Sequence, residues 1–213
     1  GYDSAGFALI DGDNLSCIKK SGKVRELKSK IEKLSIKGSR GIAHTRWATH
    51  GPPNDTNAHP HLDETGKIAL VHNGIIENHS SIKSTLEGRG VKFTSDTDTE
   101  VLVQLISELY YNNDKKISFE NAVKAALQEV VGAYGIVAIC VDEPNKMVAA
   151  RMGSPLVLGV GDGEYLLASD ASPIIDYTRN VIFLEDDEFL KIEDSGYEIS
   201  SISSANVITK TLT

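Results

Sequence analysis

Polar residues of the kinds used in catalysis and binding are concentrated in residues 44–74. Five of the six histidines and the only tryptophan fall within these 31 positions. The polar residues form three motifs, residues 44–51 (HTRWATHG), 57–61 (NAHPH) and 72–74 (HNG). A segment this rich in polar side chains, set between apolar runs, is untypical of a structural core. We therefore interpret residues 44–74 as the wall of a substrate pocket.

The Asn73-Gly74 pair follows a predicted strand at residues 67–72. The side-chain amide of Asn73 and the backbone N–H of Gly74 would together donate hydrogen bonds to an oxyanion formed during acyl transfer. Asn-Gly is also the strongest dipeptide signal for a hairpin turn. Residues 75–78 (IIEN) are not a clean return strand, which weakens the turn interpretation. The dipeptide alone leaves both interpretations open.

Arg46 and Asp98 form a second candidate pair. A guanidinium binds a carboxylate through two parallel hydrogen bonds, and the helix dipole keeps a carboxylate in the first helical turn ionised. Together the two residues would hold a zwitterionic α-amino acid. The alternative is structural, with Arg46 in a surface ion pair and Asp98 supporting the end of its helix. Sequence spacing does not decide between these alternatives.

The histidines also raise the question of a metal site. Protein zinc sites ordinarily combine histidine with cysteine or carboxylate ligands at recognisable spacings. The sequence contains no HExxH and no CxxC motif. We therefore expect neither a metal nor another cofactor.

The elements that must position these residues belong to one α+β domain spanning residues 1–213. Residues 7–19 indicate a hairpin, residues 41–43 a short strand and residues 51–66 a functional loop. Helices are predicted at residues 22–34, at residues 78–88, from a capping box at Thr97 and Glu100 to about residue 111, and from residue 118. Antiparallel strands follow at residues 135–141, 147–151, 156–160, 165–168, 181–184 and 189–192, with a weaker tail to residue 211.

Composition excludes several classes of function. The net charge of -8 argues against nucleic-acid binding and against an anionic membrane surface. No apolar run approaches the roughly 20 residues of a membrane span, and no signal peptide leads the sequence. Cys17 and Cys140 provide no disulfide framework and suit a reducing compartment, so we expect a cytoplasmic protein.

Five ordered motifs closely resemble the glutaminase domain of the class II glutamine amidotransferases. Their amino-acid sequences most resemble the glutamine–fructose-6-phosphate aminotransferase family. These motifs are residues 1–6 (GYDSAG), 44–51 (HTRWATHG), 57–61 (NAHPH), 72–78 (HNGIIEN) and 95–100 (SDTDTE). The resemblance continues through residues 153–156 (GSPL) and 168–170 (ASD).

The resemblance implies a four-layer αββα sandwich of antiparallel sheets, of the N-terminal-nucleophile hydrolase type. The residues that would bind glutamine are Arg46, Trp47, Thr49, His50, His59 and Asp98. Arg46 would hold the α-carboxylate, helped by Thr49 and His50, and Asp98 would hold the α-ammonium. Trp47 would close over the site, and His59 would support its wall.

The resemblance also assigns the catalytic positions. Asn73 and Gly74 would form the oxyanion hole. The family's nucleophile is a cysteine at the mature N-terminus whose own α-amine acts as the general base. Gly1 would approach this amine only through its backbone, and neither Cys17 nor Cys140 aligns with the nucleophile. We therefore expect a glutaminase domain without its N-terminal segment, and no glutamine turnover by this polypeptide alone.

The resemblance implies an enzyme, a glutamine-dependent aminotransferase, with glutamine as the substrate of this domain. In the full-length protein, expected to be a homodimer, the domain would release ammonia to a sugar-phosphate isomerase domain that converts fructose-6-phosphate into glucosamine-6-phosphate. Two alternatives stay open. One is a non-catalytic glutamine-binding module, and the other is the glutaminase domain of another class II amidotransferase, such as amidophosphoribosyltransferase.

Overall fold

A computed structural model describes residues 3–33, 37–47, 51–112 and 116–204, and the backbone of residues 207–208. Gly1, Thr49 and His50, which the resemblance places at the site, lie outside the described residues. The end of the predicted C-terminal tail, up to residue 211, also lies outside them.

The described chain begins with two strands and a helix, and three further helices are consecutive in the middle of the sequence. The described helices are α1 (Val24–Ile31), α2 (His79–Gly88), α3 (Asp98–Tyr111) and α4 (Phe119–Gln128). The described strands are β1 (Ser4–Asp11), β2 (Asn14–Ser21), β3 (Arg40–Arg46), β4 (His61–Leu62), β5 (Ile68–Ile76), β6 (Gly132–Cys140), β7 (Met147–Met152), β8 (Val157–Val160), β9 (Tyr165–Ala168), β10 (Val181–Phe183), β11 (Glu188–Glu193), β12 (Gly196–Ser201) and β13 (Val207–Ile208).

The described strands form three sheets. The largest has the strand order β13-β12-β11-β7-β6-β5-β4, and the smaller ones have the orders β2-β1-β3 and β10-β8-β9. All strand pairings between these elements are antiparallel. Short connections such as the hairpin between β1 and β2 require this arrangement.

The alternation of side chains along β5 divides the core in two. Ile68 and Leu70 belong to an apolar cluster with residues of α3 and α4, whereas Ala69 and Val71 belong to a cluster with residues of the two smaller sheets. Successive side chains of a strand point to opposite faces of its sheet. The large sheet is therefore covered by helices on one face and by sheet on the other, and α1 packs against β1 and β2. This order of layers is the predicted αββα sandwich.

The predicted end of the strand before Asn73 is wrong. β5 does not stop at residue 72 but continues through Asn73 and Gly74, which are opposite Gly135 and Tyr134 of β6. The hairpin alternative for Asn-Gly is therefore excluded. The local turn preference of this dipeptide is overridden by pairing with a strand about 60 residues later in the chain, which no local pattern reveals.

Of the two hydrogen bonds of the predicted capping box at the start of α3, the one accepted by Thr97 is confirmed and the one accepted by Glu100 is wrong. The Thr97 hydroxyl accepts the backbone N–H of Glu100 at 3.2 Å, as an N-cap residue should. The Glu100 carboxylate does not return to the N–H of Thr97 but accepts the N–H groups of Thr94 and Ser95, at 2.9 and 2.6 Å. The helix start is thereby fixed to the loop before it, and Asp98 becomes the first helical residue.

Candidate active site

A cavity of about 500 Å³ brings together most of the predicted site residues. It is bordered by β3, β5, β6 and β9 and by the first residues of α3. The predicted residues that line it are Arg46, Trp47, His59, Asn73, Gly74 and Asp98. Because β3 and β5 belong to different sheets, the packing of the two sheets creates the cavity.

Arg46 is the last residue of β3, and it is 3% exposed. Its Nη1 lies 3.8 Å from Oδ1 of Asp3, and its Nη2 donates to the carbonyl of Gly51 at 3.3 Å. The alternative of a surface ion pair is therefore wrong. A buried guanidinium that borders a cavity has the geometry of a carboxylate ligand.

Asp98 lines the cavity and also supports the packing of its helix. Its side chain lies at the N-terminus of α3, is 4% exposed and lines the cavity. Its Oδ2 also accepts the backbone N–H of Ile76 at 2.9 Å. The same carboxylate thus ties α3 to β5 and places a negative charge at the cavity wall.

Gly74 has a backbone conformation that only glycine adopts without strain. Its φ is +126°, and a Cβ placed there would lie 2.0 Å from the carbonyl oxygen of Ala133. The positive φ turns the Gly74 peptide away from its orientation in a regular strand. An irregular backbone beside Asn73, inside an otherwise continuous strand, is consistent with a donor aimed into the cavity.

His44 contacts Asn73, a relationship that sequence reasoning missed. The Nε2 atom of His44 lies 2.7 Å from Oδ1 of Asn73, and its ring stacks on His59 with centroids 4.4 Å apart. Burial is the main cause that lowers the pKa of His44. The hydrogen bond to Asn73 partly opposes this shift, and His72 and Arg46 lower the pKa further. The sequence segment was identified as functional, but a contact between strands of two different sheets leaves no spacing signal.

Two threonines at the start of α3 bind the other buried histidines. Thr99 Oγ1 lies 2.9 Å from Nε2 of His59 and 3.0 Å from Nδ1 of His72. Thr97 Oγ1 lies 3.1 Å from Nε2 of His61. Among the described residues, no group of three histidine, cysteine, aspartate or glutamate side chains is arranged to hold a metal ion.

Burial also keeps His59 and His61 uncharged. It lowers the pKa of His59 well below its usual value, with further lowering from His44 and the neighbouring histidines. It lowers the pKa of His61 to about 3, with a further contribution from Lys19. His44 and His59 therefore line the cavity as neutral imidazoles, and Arg46 and Asp98 carry the formal charges at its wall.

Trp47 follows β3 directly and stands at the border of the cavity. Its side chain is 69% exposed, so it does not cover the site in this conformation. The opposite wall includes Leu156, Leu167, Ala168 and Ser169, to which the sequence had assigned no role. These residues come from the region of β8 and β9, which the sequence analysis identified as strands and as part of the resemblance, without a role in the site.

Neither cysteine lines this cavity. Cys17 lies on β2 and Cys140 at the end of β6, where it is fully buried. Burial raises the pKa of both thiols. A nucleophilic thiol requires a lowered pKa and access to its substrate, so neither residue suits that role.

Within the described part of the chain, no helix has the length and apolar character to span a membrane.

A protein-family model covers more than half of this chain. Residues 44–176 match the model described as "glutamine amidotransferase domain". Among curated proteins, glutamine–fructose-6-phosphate aminotransferase (isomerizing) of Chlorobaculum tepidum is 49% identical over 210 residues, which cover 96% of this chain and 33% of that protein. The enzyme of the same name from Thermococcus kodakarensis is 45% identical, with 99% of this chain and 34% of that protein covered. The chain thus spans about a third of the length of these relatives.

Solved structures agree on the fold. Glutamine phosphoribosylpyrophosphate amidotransferase from B. subtilis, solved with ADP and GMP, superposes with a TM-score of 0.80 at 28% identity, covering 97% of this chain and 44% of that chain. A glutamine aminotransferase class-II domain protein from Silicibacter pomeroyi superposes with a TM-score of 0.65 at 14% identity, covering 95% of this chain and 92% of that chain. The second likeness concerns the fold alone.

Proposed function

Because the chain belongs to the glutamine amidotransferase domain family, we propose that its cavity binds L-glutamine and stabilises the release of ammonia from the glutamine side chain. The observation that carries this proposal is that Arg46, Asp98, Asn73 and Gly74 line one cavity. A single ligand would meet a cation, an anion and two hydrogen-bond donors there. Free glutamine has a matching group for each.

The two charged residues account for recognition of the amino-acid end. Arg46 would bind the α-carboxylate, and Asp98 would bind the α-ammonium. Both side chains are buried, so their interactions with a ligand are screened less by water than surface pairs are. A hydrogen bond to a charged group contributes about 1.5–3 kcal/mol. His59 would support this wall through its contact with Thr99.

Asn73 and Gly74 account for stabilisation of the reaction. When a nucleophile adds to the side-chain carbonyl of glutamine, the carbon becomes tetrahedral and its oxygen takes up negative charge. The side-chain amide of Asn73 and the N–H of Gly74 would donate to this oxygen. The proton released by the attacking group is transferred to the nitrogen, the C–N bond breaks, ammonia leaves and the carbonyl re-forms with the acyl group on the nucleophile. Removing one such donor in an acyl-transfer enzyme costs about 10²–10³-fold in rate.

The attacking group does not come from either cysteine of this sequence, because both lie away from the cavity. The proposal therefore assigns to the described residues the tasks of binding, orientation and oxyanion stabilisation. A non-catalytic glutamine-binding module would need only Arg46 and Asp98. The positive φ of Gly74 beside Asn73 favours a catalytic site, because simple binding requires no such irregular backbone.

We further propose that the released ammonia is transferred to fructose-6-phosphate in a sugar-phosphate isomerase domain, giving glucosamine-6-phosphate in a full-length homodimer. The higher identity to glutamine–fructose-6-phosphate aminotransferases, 49% against 28% for the B. subtilis phosphoribosylpyrophosphate enzyme, supports this acceptor. The fold alone does not select the acceptor, since the phosphoribosylpyrophosphate enzyme superposes over 97% of this chain.

Calorimetric titration of the chain with amino acids tests the proposed function. We expect saturable binding of L-glutamine. D-glutamine should bind much more weakly, because it cannot place its α-carboxylate, α-ammonium and side-chain amide at the three positions at once. L-asparagine should also bind much more weakly, because its side chain is shorter by one methylene. Binding of L-glutamine should be retained in Arg89→Ala, an exposed arginine paired with Glu108 outside the cavity. Equal affinity for L- and D-glutamine, or no binding of either, would refute the proposal.

A further inference from the structure

The contact between His44 and Asn73 allows the orientation of the Asn73 amide to be deduced. His44 Nδ1 is buried and has no hydrogen-bond partner, while His44 Nε2 lies 2.7 Å from the Asn73 side chain. If Asn73 donated to Nε2, the ring proton would lie on Nδ1 as a buried donor without an acceptor. Orphaned buried N–H groups are rarer than unpaired acceptors. The proton therefore belongs on Nε2, and the amide oxygen of Asn73 faces His44.

The neighbouring His72 and His59 also carry their ring proton on Nε2. His72 Nε2 lies 3.5 Å from the carbonyl oxygen of Ala133, which can only accept, so the proton of a neutral His72 belongs on Nε2. Its Nδ1 then accepts the single hydroxyl proton of Thr99. The Thr99 oxygen in turn accepts from Nε2 of His59.

These assignments form one directed chain of hydrogen bonds, from His59 to Thr99 to His72 to the Ala133 carbonyl. The chain leaves His59 Nδ1 without a proton, in agreement with its burial without a partner. His59 also stacks on His44 with an interplanar angle of 30°. The ring that orients Asn73 thus packs against a ring whose own tautomer is fixed by Thr99.

We propose that His44 is a positioning residue that holds the Asn73 amide with its NH2 group toward the cavity, and that the His59–Thr99–His72 chain fixes the ring on which His44 stacks. This inference rests on the proposed function of Asn73 as an oxyanion donor. A flipped amide would present its oxygen to the developing negative charge and would repel it. Oxygen and nitrogen of an amide differ little in shape, so only a hydrogen-bond partner selects one orientation.

The tautomers can be observed directly by two-bond 1H–15N correlation spectra of the histidine rings in the 213-residue chain at pH 7.5. We expect neutral Nε2–H tautomers for His44, His59 and His72. An Nδ1–H tautomer or an imidazolium at His44 would overturn the proposal. The measurement needs no ligand, so its failure is separate from a failure of glutamine binding.

Two substitutions of His44 separate positioning from packing. His44→Phe keeps a ring against His59 but removes the donor, whereas His44→Gln restores an N–H donor. In His44→Phe the Asn73 side-chain NH2 resonances should broaden or split, and L-glutamine should bind about fivefold more weakly, as expected for one neutral hydrogen bond of about 1 kcal/mol. His44→Gln should recover single resonances and most of the affinity.

Unchanged Asn73 resonances in His44→Phe would contradict the positioning role, provided that its thermal midpoint is near that of the unsubstituted chain. If the phenylalanine variant does not fold, the comparison of Thr99→Val with Thr99→Ser applies instead. The valine removes the hydroxyl that fixes His59 and should produce mixed tautomers at this ring, whereas His72 should keep its Nε2–H tautomer through the Ala133 carbonyl. Thr99→Ser retains the hydroxyl and should show single Nε2–H tautomers at His59 and His72. Mixed tautomers in Thr99→Ser would contradict the proposed His59–Thr99–His72 hydrogen bonds.

Discussion

The Asp98 carboxylate accepts the backbone N–H of Ile76 at 2.9 Å, two residues beyond Gly74 on β5. One buried side chain therefore joins the proposed ammonium ligand to the strand that carries the proposed oxyanion hole. Because the hydrogen bond needs only an acceptor and the ligand contact needs a charge, the two roles can be separated by substitution.

Asp98→Asn should retain the acceptor for Ile76 while removing the charge. We expect its unfolding free energy to change by less than about 1 kcal/mol, whereas L-glutamine affinity should fall about 10- to 100-fold, the equivalent of a charged hydrogen bond. Asp98→Ala should lower both quantities. Urea unfolding and calorimetry measure the two effects, and unaltered glutamine affinity in Asp98→Asn would remove Asp98 from the site.

Gly74→Ala tests the unusual backbone beside Asn73. The added Cβ would meet the Ala133 carbonyl at 2.0 Å in addition to the strain of a positive φ. Gly66→Ala is the matched control, since Gly66 has a φ of +70° and nothing within 4 Å of its Cβ position. Left-handed strain alone costs about 1–2 kcal/mol. In urea unfolding, Gly74→Ala should be more destabilised than Gly66→Ala, and equal losses would contradict the described geometry.

Trp47 provides a fluorescence reporter, because it is the only tryptophan of the sequence. It is 69% exposed and borders the cavity. If it closes over bound glutamine, saturation with L-glutamine should shift its emission to shorter wavelength and reduce quenching by acrylamide. D-glutamine at the same concentration serves as the control. Identical spectra with and without L-glutamine would show that Trp47 does not cover the ligand.

The buried histidines predict a loss of stability in mild acid. Burial, followed by Lys19, lowers the pKa of His61 to about 3, below its unfolded value of 6.5. Between these two values the unfolded chain binds a proton that the native chain excludes, so the unfolding free energy falls as pH decreases. One such histidine contributes a slope of about 1.4 kcal/mol per pH unit.

Urea unfolding at pH 7.5, 6 and 5 measures this slope. Acidic side chains also titrate toward the lower end of this range, so the comparison is with His61→Gln, which lacks only the imidazole. The variant should lose less stability between pH 7.5 and 5 than the unsubstituted chain. Parallel curves for the two proteins would show that His61 is not kept neutral by the fold.

Much of this site was predictable because its parts are encoded locally. The N-cap at Thr97 follows from a capping-box pattern within four residues, and it fixes Asp98 as the first helical residue. The hairpin of β1 and β2 follows from a turn between two apolar runs. The resemblance added the proposed binding roles of Arg46 and Asp98, which spacing alone leaves undecided.

The unpredicted features depend on contacts between distant segments. β5 passes through Asn73 and Gly74 because β6 pairs with it there, and His44 reaches Asn73 because two sheets pack face to face. The partner of the Glu100 carboxylate differs for a local reason, since the preceding loop brings the Thr94 and Ser95 N–H groups to it. Local sequence patterns carry no information on such distances.

The central claim is that Arg46 binds the α-carboxylate of glutamine, and a comparison of three ligands tests it most directly. L-glutamine and glutaramate both have this carboxylate, and 4-aminobutanamide lacks it. Calorimetric titration of each ligand into the unsubstituted chain and into Arg46→Ala isolates the interaction between one side chain and one ligand group. Arg46→Ala should weaken the binding of L-glutamine and of glutaramate about 10- to 100-fold. The affinity for 4-aminobutanamide should change by no more than about twofold. An equal loss for all three ligands, or no loss for L-glutamine, would contradict the proposed site.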